Sequence, residues 1–425
     1  MKRREFLHKS KSLAAGITLP FIVPSHVFAS NERPGANDRI VIGFVGMGGR
    51  ARWILKYDDL SPAQIVAAAD CFFPRFQEVV REKPEAEKWN KYNNYQEMFD
   101  KEKLDAVFVE TTTHARVLTC IHALQAGFDV YGEKPLTLTI AEGRTLVNAV
   151  RKYKRVLQTG TQQRSMPINR YASQLVAGGA IGKIKTVRIC NFEGPMVWTP
   201  QPAQPMPEGL NWDQWCNQTE LRPYHKDLHF GWSRWKDYDG GGQSWGVTGW
   251  GTHSLDQAQC GLGTDETGPV EIWPEEEGEN AKITMRYANG TLMKLEGERR
   301  QHEDLGAIFI GEKGTIEILR GDFTAEPKEL MDELKKDAPE PTPEGPHEND
   351  PHFRNFFECM RTRKRPNADV EIGHRSTAVC HLVNICRDLG RKLKWDPEKE
   401  QFIGDEQANQ MISRPRRKGY ELPEI

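Results

Sequence analysis

After residue 30 this chain of 425 residues has no apolar run approaching the roughly 20 residues that cross a bilayer, so no transmembrane helix is expected beyond that point. Its eight cysteines, at 71, 120, 190, 216, 260, 359, 380 and 386, form no Cys-x-x-Cys pair and keep no regular spacing. That pattern argues against a zinc site or a disulfide framework and leaves room for one or two bridges at most. Neither sign of charge dominates: 58 basic residues face 60 acidic ones, and no lysine/arginine block stands out beyond the extreme N-terminus and a short run near residue 363. Nucleic acid and membrane surfaces are therefore not expected partners. No internal repeat is evident. What remains is an ordinary soluble composition, 38% hydrophobic and 28% charged, in a chain longer than one hydrophobic core usually organises. Two domains follow as the expectation.

The first thirty residues differ from the rest. Lys2-Arg3-Arg4-Glu5-Phe6-Leu7 is a basic start with an arginine pair, the stretch Leu13 to Val27 is mildly apolar, and Val27-Phe28-Ala29 is a small-residue exit. The order basic, apolar, small reads as a removable export signal over residues 1–30, and the twin arginines point to the Tat route for proteins exported already folded. A periplasmic location is the expectation. No cysteine follows closely, which argues against a lipid anchor.

Residues 39–46 are a short continuous apolar run of strand length, and they lead through glycines into Ala51-Arg52-Trp53-Ile54-Leu55, which has helical spacing. A second buried-type strand, Ile65 to Ala69, ends in Asp70; a third, Leu104 to Val109, precedes a helix around Val117 to Ala126. This alternation predicts an α/β fold whose N-terminal part, residues 37–160, is a doubly wound Rossmann domain with a parallel sheet. Beyond it the pattern changes. The runs on either side of Asn289-Gly290, and Ile308 to Ile310 with Thr315 to Ile318, read as hairpins. Residues 161–425 are thus expected to form an α+β domain with a large, mostly antiparallel sheet. Pro200 to Pro207 and Thr324 to Asp350 read as long surface loops.

The chemistry starts at Gly46-Met47-Gly48-Gly49-Arg50-Ala51. Gly46 permits a sharp strand-to-helix reversal, Gly48 lets backbone approach a pyrophosphate, and Ala51 keeps the helix near the sheet. A lone G-x-G-x-x-A is weak. It gains weight from Asp70 at the tip of the next strand, where a carboxylate binds adenosine ribose hydroxyls and repels a 2′-phosphate, favouring NAD over NADP.

The turn and Asp70, together with Glu133-Lys134-Pro135, Gly160-Thr161-Gln162-Gln163-Arg164-Ser165, Gly240-Gly241-Gly242, His253-Ser254-Leu255-Asp256 and Arg365 to His374, resemble the Gfo/Idh/MocA oxidoreductases. The likeness covers nearly all of the chain after residue 37. It implies an enzyme acting on a hydroxyl of a sugar or cyclitol, and a homo-oligomer assembled through the C-terminal sheet. It also implies NAD contacts from Gly46, Met47, Gly48, Gly49, Arg50, Asp70, His114, Glu133, Lys134 and Gln162, and substrate contacts from Gln163, Arg164, Trp250 and Asp256. No metal ligands are implied. Lys134 is the expected catalytic group, since a buried ammonium can stabilise the charge developing on the reacting oxygen, and its proline is a candidate for the cis form. His253 is the expected general base.

Two departures stand out. Relatives carry an aspartate four residues before the histidine, where this chain has Gly249, so either Asp256 takes over as partner of His253 or the proton chemistry differs. In Thr111-Thr112-Thr113-His114-Ala115-Arg116, His114 matches one of the relatives' two histidines and Arg116 replaces the other. Between residues 212 and 250 lie six of the eleven tryptophans, suited to sugar faces or equally to a core. Three readings follow: a sugar or cyclitol dehydrogenase, a glycosidase that retains NAD and works by transient oxidation and elimination, and a non-catalytic dinucleotide binder.

Overall fold

The computed structural model describes residues 39–297 and 305–425; the expected export signal lies outside them. Residues 40–425 form one compact unit. Its first sheet has six strands, β1 (Ile40–Val45), β2 (Ala63–Ala69), β3 (Asn90–Tyr92), β4 (Ala106–Val109), β5 (Asp129–Gly132) and β6 (Leu157–Thr159). They run in the order β3-β2-β1-β4-β5-β6, and every pairing is parallel. The apolar runs of β1 and β4 are buried on both faces because helices cover both. Three helices matter here: α1 (Gly49–Tyr57), α2 (Thr113–Gln125) and α3 (Ile140–Tyr153). The order reverses between β1 and β4, and at the strands' C-terminal ends this opens the crevice in which such sheets bind ligands.

The second sheet has nine strands, β7 (Ile184–Cys190), β8 (Glu271–Pro274), β9 (Ile283–Arg286), β10 (Leu292–Gly297), β11 (Ala307–Gly311), β12 (Thr315–Ile318), β13 (Phe323–Glu326), β14 (Leu393–Asp396) and β15 (Gln401–Phe402). Only β7 and β10 pair in parallel; the remaining pairs are antiparallel. Both expected hairpins are present, with Gly290 at φ +89° in the first turn. One face of this sheet packs on α4 (Pro167–Ala177), α5 (Gly251–Leu262) and α7 (Val370–Leu389), burying Val187, Ile189, Met293, Leu295 and Phe309.

The stretch Thr324 to Asp350 is not wholly a loop. It begins inside β13 and continues into a helix at Lys328–Leu334, whose run of good helix formers buries Leu334 against the core. The helix that follows, α6 (Asp350–Thr362), returns to the first sheet. Its Phe353, Phe356 and Phe357 join Phe44, Phe108 and Tyr131 in one aromatic core, with Phe108 stacked 4.8 Å from Phe44 and 4.9 Å from Tyr131. Among the described residues no helix is long and apolar enough to cross a membrane, and none of the eight cysteines is in a disulfide.

Candidate active site

β1 leads into Gly46, which adopts φ +87° beside the tip of β4. A Cβ there would lie 2.8 Å from the Glu110 carbonyl, so both the conformation and the close approach require glycine. At Gly48 and Gly49 a Cβ would meet nothing within 4 Å; that side faces a cavity of 370 Å³. α1 starts at this turn without a side-chain cap and without an acidic residue in its first turn. Its N-terminal amides and partial positive charge are thereby left for an anionic ligand. Met47 contributes backbone only: its side chain is buried in the sheet's core, while its amide donates to the Asp70 carboxylate at 2.7 Å. Asp70 also accepts from the Phe72 amide at 2.8 Å, which sets the carboxylate beside the turn, at the cavity wall.

The residues after β5 build another part of the cavity wall. Glu133 accepts from Arg50 Nε at 2.7 Å, from Gln162 Nε2 at 3.0 Å and from the Lys134 amide at 2.8 Å. Burial pushes this carboxyl up, but the Arg50 and Lys134 charges outweigh it and hold Glu133 ionised. The Lys134–Pro135 peptide is cis. Lys134 Nζ donates to the Gly249 carbonyl at 3.0 Å. Burial lowers the lysine to about 8, with Glu133 and Asp239 opposing the shift. The ammonium is thus held in a site where its proton is easily exchanged near neutral pH.

Gly249 does more than lack an aspartate. A Cβ there would lie 2.0 Å from the Gln243 carbonyl oxygen, so the loop is closed so tightly on itself that no side chain fits. A carboxylate enters the cleft from another position instead. Asp239, fully buried at the cavity wall, accepts hydrogen bonds from the hydroxyls of Thr113 and Thr248. Burial raises its carboxyl, while the two hydroxyls and the nearby Arg116 and Lys134 charges pull it down.

The structure therefore gathers Gly46, Gly48, Gly49, Arg50, Asp70, Glu133 and Lys134 around one cavity, with Gln162 buttressing Glu133. The other expected site residues lie elsewhere. His114 is buried against Trp215 and Tyr238, donates through Nε2 to the Trp215 carbonyl at 2.8 Å, and is lowered by burial to about 4, so it packs beneath the cavity wall. Asp256 does not take over as partner of His253. Both its oxygens accept from Arg164 Nε at 2.8 Å and one accepts from Ser376 Oγ at 2.6 Å, in a buried ion pair that occupies both residues. Gln163 is likewise used internally, donating to the Leu305 carbonyl at 2.8 Å. Trp250 packs on Trp245, 4.8 Å away, at the edge of the larger core. His253 is buried; its Nδ1 has no partner among the described residues, and burial with the charges of Lys134, Arg320 and Arg50 pushes it well below the usual imidazole range.

The tryptophan-rich segment serves two cores: Trp212, Trp215, Tyr224 and Tyr238 form a small one of their own, whose Trp215 joins Trp232 and His229 in lining the cavity, while Trp245 and Trp250 pack on the larger one. The chain leading into this segment is tied to the sheet beside Asp70: the Phe73 amide donates to the Gly209 carbonyl at 3.0 Å and the Asn211 amide to the Cys71 carbonyl at 2.7 Å. Sequence reasoning missed Asp239 and Glu110, the latter a buried acid at the cavity wall. For Glu110 the signal was there: Val-Phe-Val-Glu repeats at β4 the pattern Ala-Ala-Ala-Asp that drew attention to Asp70 at β2.

Residues 40–161 match the family model for the oxidoreductase NAD-binding Rossmann fold, and residues 167–422 match that for the oxidoreductase C-terminal alpha/beta domain. The D-xylose 1-dehydrogenase (NADP(+)) of Hypocrea jecorina is 28% identical over 127 residues, 30% of this chain and 32% of that protein. The scyllo-inositol 2-dehydrogenase (NAD(+)) of Bacillus subtilis is 30% identical over 121 residues, 28% of this chain and 34% of that protein. The chain thus spans about a third of the length of the curated relatives it matches. In fold it is similar to the WlbA dehydrogenase of Bordetella pertussis, solved with NADH and UDP-GlcNAcA, at a TM-score of 0.59 and 16% identity over 84% of this chain and 99% of that one.

Proposed function

Because the chain belongs to the Gfo/Idh/MocA oxidoreductase family, we propose that it is an NAD-dependent oxidoreductase acting on a hydroxyl of a sugar, cyclitol or glycoside. The observation that carries this reading is Lys134, a half-buried lysine lowered to about 8 that lines the same cavity as the glycine turn. The residues present fit the cofactor. Gly48 and Gly49 leave open space over the turn, the first amides of α1 are uncapped, and Asp70 stands where a ribose diol is recognised and a 2′-phosphate repelled, which favours NAD. Hydride acceptance is the chemistry the nicotinamide supplies when bound.

The chain's own residues handle the proton. Lys134 hydrogen-bonds the reacting hydroxyl and stabilises charge developing on its oxygen. Asp239, beside it and already fixed by two threonine hydroxyls, accepts the hydroxyl proton, taking the part that the sequence assigned to His253. Trp215 and Trp232 offer flat apolar faces to the sugar ring and shield the site from water.

The backbone hydrogen bonds that tie Gly209 and Asn211 to residues 71–73, beside Asp70, support a nucleotide that stays bound between turnovers. The same feature favours the second reading, cleavage of a glycoside by transient oxidation with no net NADH. A non-catalytic binder loses its support from Gly249, since Asp239 supplies a carboxylate to the cleft. Export through the Tat-type signal over residues 1–30 suits a protein that acquires its nucleotide in the cytoplasm and keeps it. The outward face of the second sheet, with Arg188 and Glu296 paired at 3.0 Å and Lys294 beside them, is the proposed homo-oligomer contact.

The purified protein decides among these. Acid-released nucleotide identified as NAD, with substrate-dependent NADH from a sugar and cyclitol panel, is the expected result. Aryl-glycoside cleavage without net NADH establishes the second reading, and neither activity across the panel overturns both.

A further inference from the structure

Several cavity-lining residues carry buried polar atoms that the fold leaves without a partner among the described residues, and Glu110 is the acid among them, with Arg50 beside it. Glu110 follows β4 directly, and both its carboxyl oxygens are buried without a hydrogen-bond partner among the described residues. Arg50, which lines the same cavity, spends Nε on Glu133 but leaves Nη2 buried and unpartnered. Buried polar atoms are nearly always hydrogen-bonded, so these atoms call for a ligand group. Burial and the neighbouring Glu133 carboxylate push the Glu110 carboxyl well up, against the pull of Arg50 and Arg116. A carboxyl that keeps its proton both donates and accepts, whereas the free guanidinium nitrogen only donates. A phosphate or carboxylate oxygen would serve Arg50 but brings no donor to Glu110. A hydroxyl serves both.

The topology says which hydroxyl. In the order β3-β2-β1-β4, Asp70 lies at the tip of β2 and Glu110 at the tip of β4, on opposite sides of the turn that ends β1. A Cβ on Gly46 would lie 2.8 Å from the Glu110 backbone, so the two are immediate neighbours. A dinucleotide lying across this crevice with its pyrophosphate at α1 places one ribose on each side. We propose that Glu110, with Arg50, binds the hydroxyls of the ribose on the nicotinamide side, as the counterpart of Asp70 on the adenosine side. This rests on the dinucleotide reading above. It has a consequence for the empty protein: an unpartnered buried acid destabilises the fold until ligand binds.

The test uses the full chain stripped of nucleotide with charcoal, and the variants Glu110→Leu and Glu110→Gln. Calorimetric affinities are measured for NAD, nicotinamide mononucleotide and AMP, alongside melting temperatures. Glu110→Leu, similar in volume but without polar atoms, weakens NAD and nicotinamide mononucleotide about ten-fold and leaves AMP within about two-fold. It also melts higher than the wild type in the absence of nucleotide. Glu110→Gln keeps a donor and an acceptor and holds both nicotinamide ligands within about three-fold of wild type. Unchanged nicotinamide mononucleotide affinity in Glu110→Leu, or an equal loss for AMP, overturns the assignment while leaving the dinucleotide reading intact. A wild-type protein that does not bind NAD overturns both. If Glu110→Leu fails to fold, Glu110→Ala takes its place: nicotinamide mononucleotide weakened about ten-fold with AMP held within about two-fold supports the assignment, and unchanged nicotinamide mononucleotide affinity overturns it.

Discussion

Two glycine-rich segments bound the cavity, and they use glycine for opposite reasons. At 48–49 the missing side chains leave space: beyond Gly48 and Gly49 there is nothing within 4 Å, and the first amides of α1 open onto the cavity. At 240–249 the missing side chains are replaced by backbone. A Cβ at Gly246 would lie 1.9 Å from the Gly241 carbonyl oxygen and one at Gly249 2.0 Å from that of Gln243, while the Thr248 and Gly249 amides both donate to Gly241 at 3.1 Å. The first segment is shaped for a ligand and the second for itself. Lys134 joins them, leaving β5 at the cavity and reaching the Gly249 carbonyl. Position 249 thus has no room for a side chain, and a carboxylate reaches the cavity wall from Asp239 instead.

Substitutions that remove the link or exchange the two kinds of glycine test this contrast. The largest effect is expected from Lys134→Ala, with kcat reduced about 10³-fold, near 4 kcal/mol, while NAD still co-purifies. Unchanged turnover would remove Lys134 from the chemistry. Next comes Gly249→Ala, which must displace backbone and is expected to destabilise the protein by about 1–3 kcal/mol or more, read as a lower melting temperature. A variant that melts with the wild type would show that the loop is open after all. Gly48→Ala is expected to leave the melting temperature unchanged and to weaken NAD about ten-fold, roughly 1.4 kcal/mol, because its methyl group meets ligand and no protein. Equal affinity would mean that the phosphates lie elsewhere.

The mildest effect is on pH. With Lys134 at about 8, kcat should fall above about pH 8 as the ammonium is lost, and a profile flat to about pH 10 would contradict its role. Stability moves the other way. The unfolded chain keeps this proton up to 10.5, so the destabilisation from burying the charge is fully present below about 8 and is relieved between about 8 and 10.5. The wild type should therefore gain on Lys134→Met in melting temperature across that window.

Local pattern made much of this protein legible. A continuous apolar run into a glycine turn, a carboxylate at the next strand tip and hairpin signals at Asn289-Gly290 depend on neighbours in sequence, and each stands where it was expected. The roles of charged groups were not legible in the same way, because a partner is set by position in space. Arg164 and Asp256, 92 residues apart, neutralise each other in the core; His114 rests against a tryptophan 101 residues away. Asp239 reaches the site only because the glycine loop behind it closes on its own backbone. The sequence alone determined that a dinucleotide fold with a lysine at its strand end is present. Tertiary packing decided which acids face the cavity, since burial without a partner is a property of the assembled cleft, and it left Glu110 and Asp239 at its wall and Asp256 in the core.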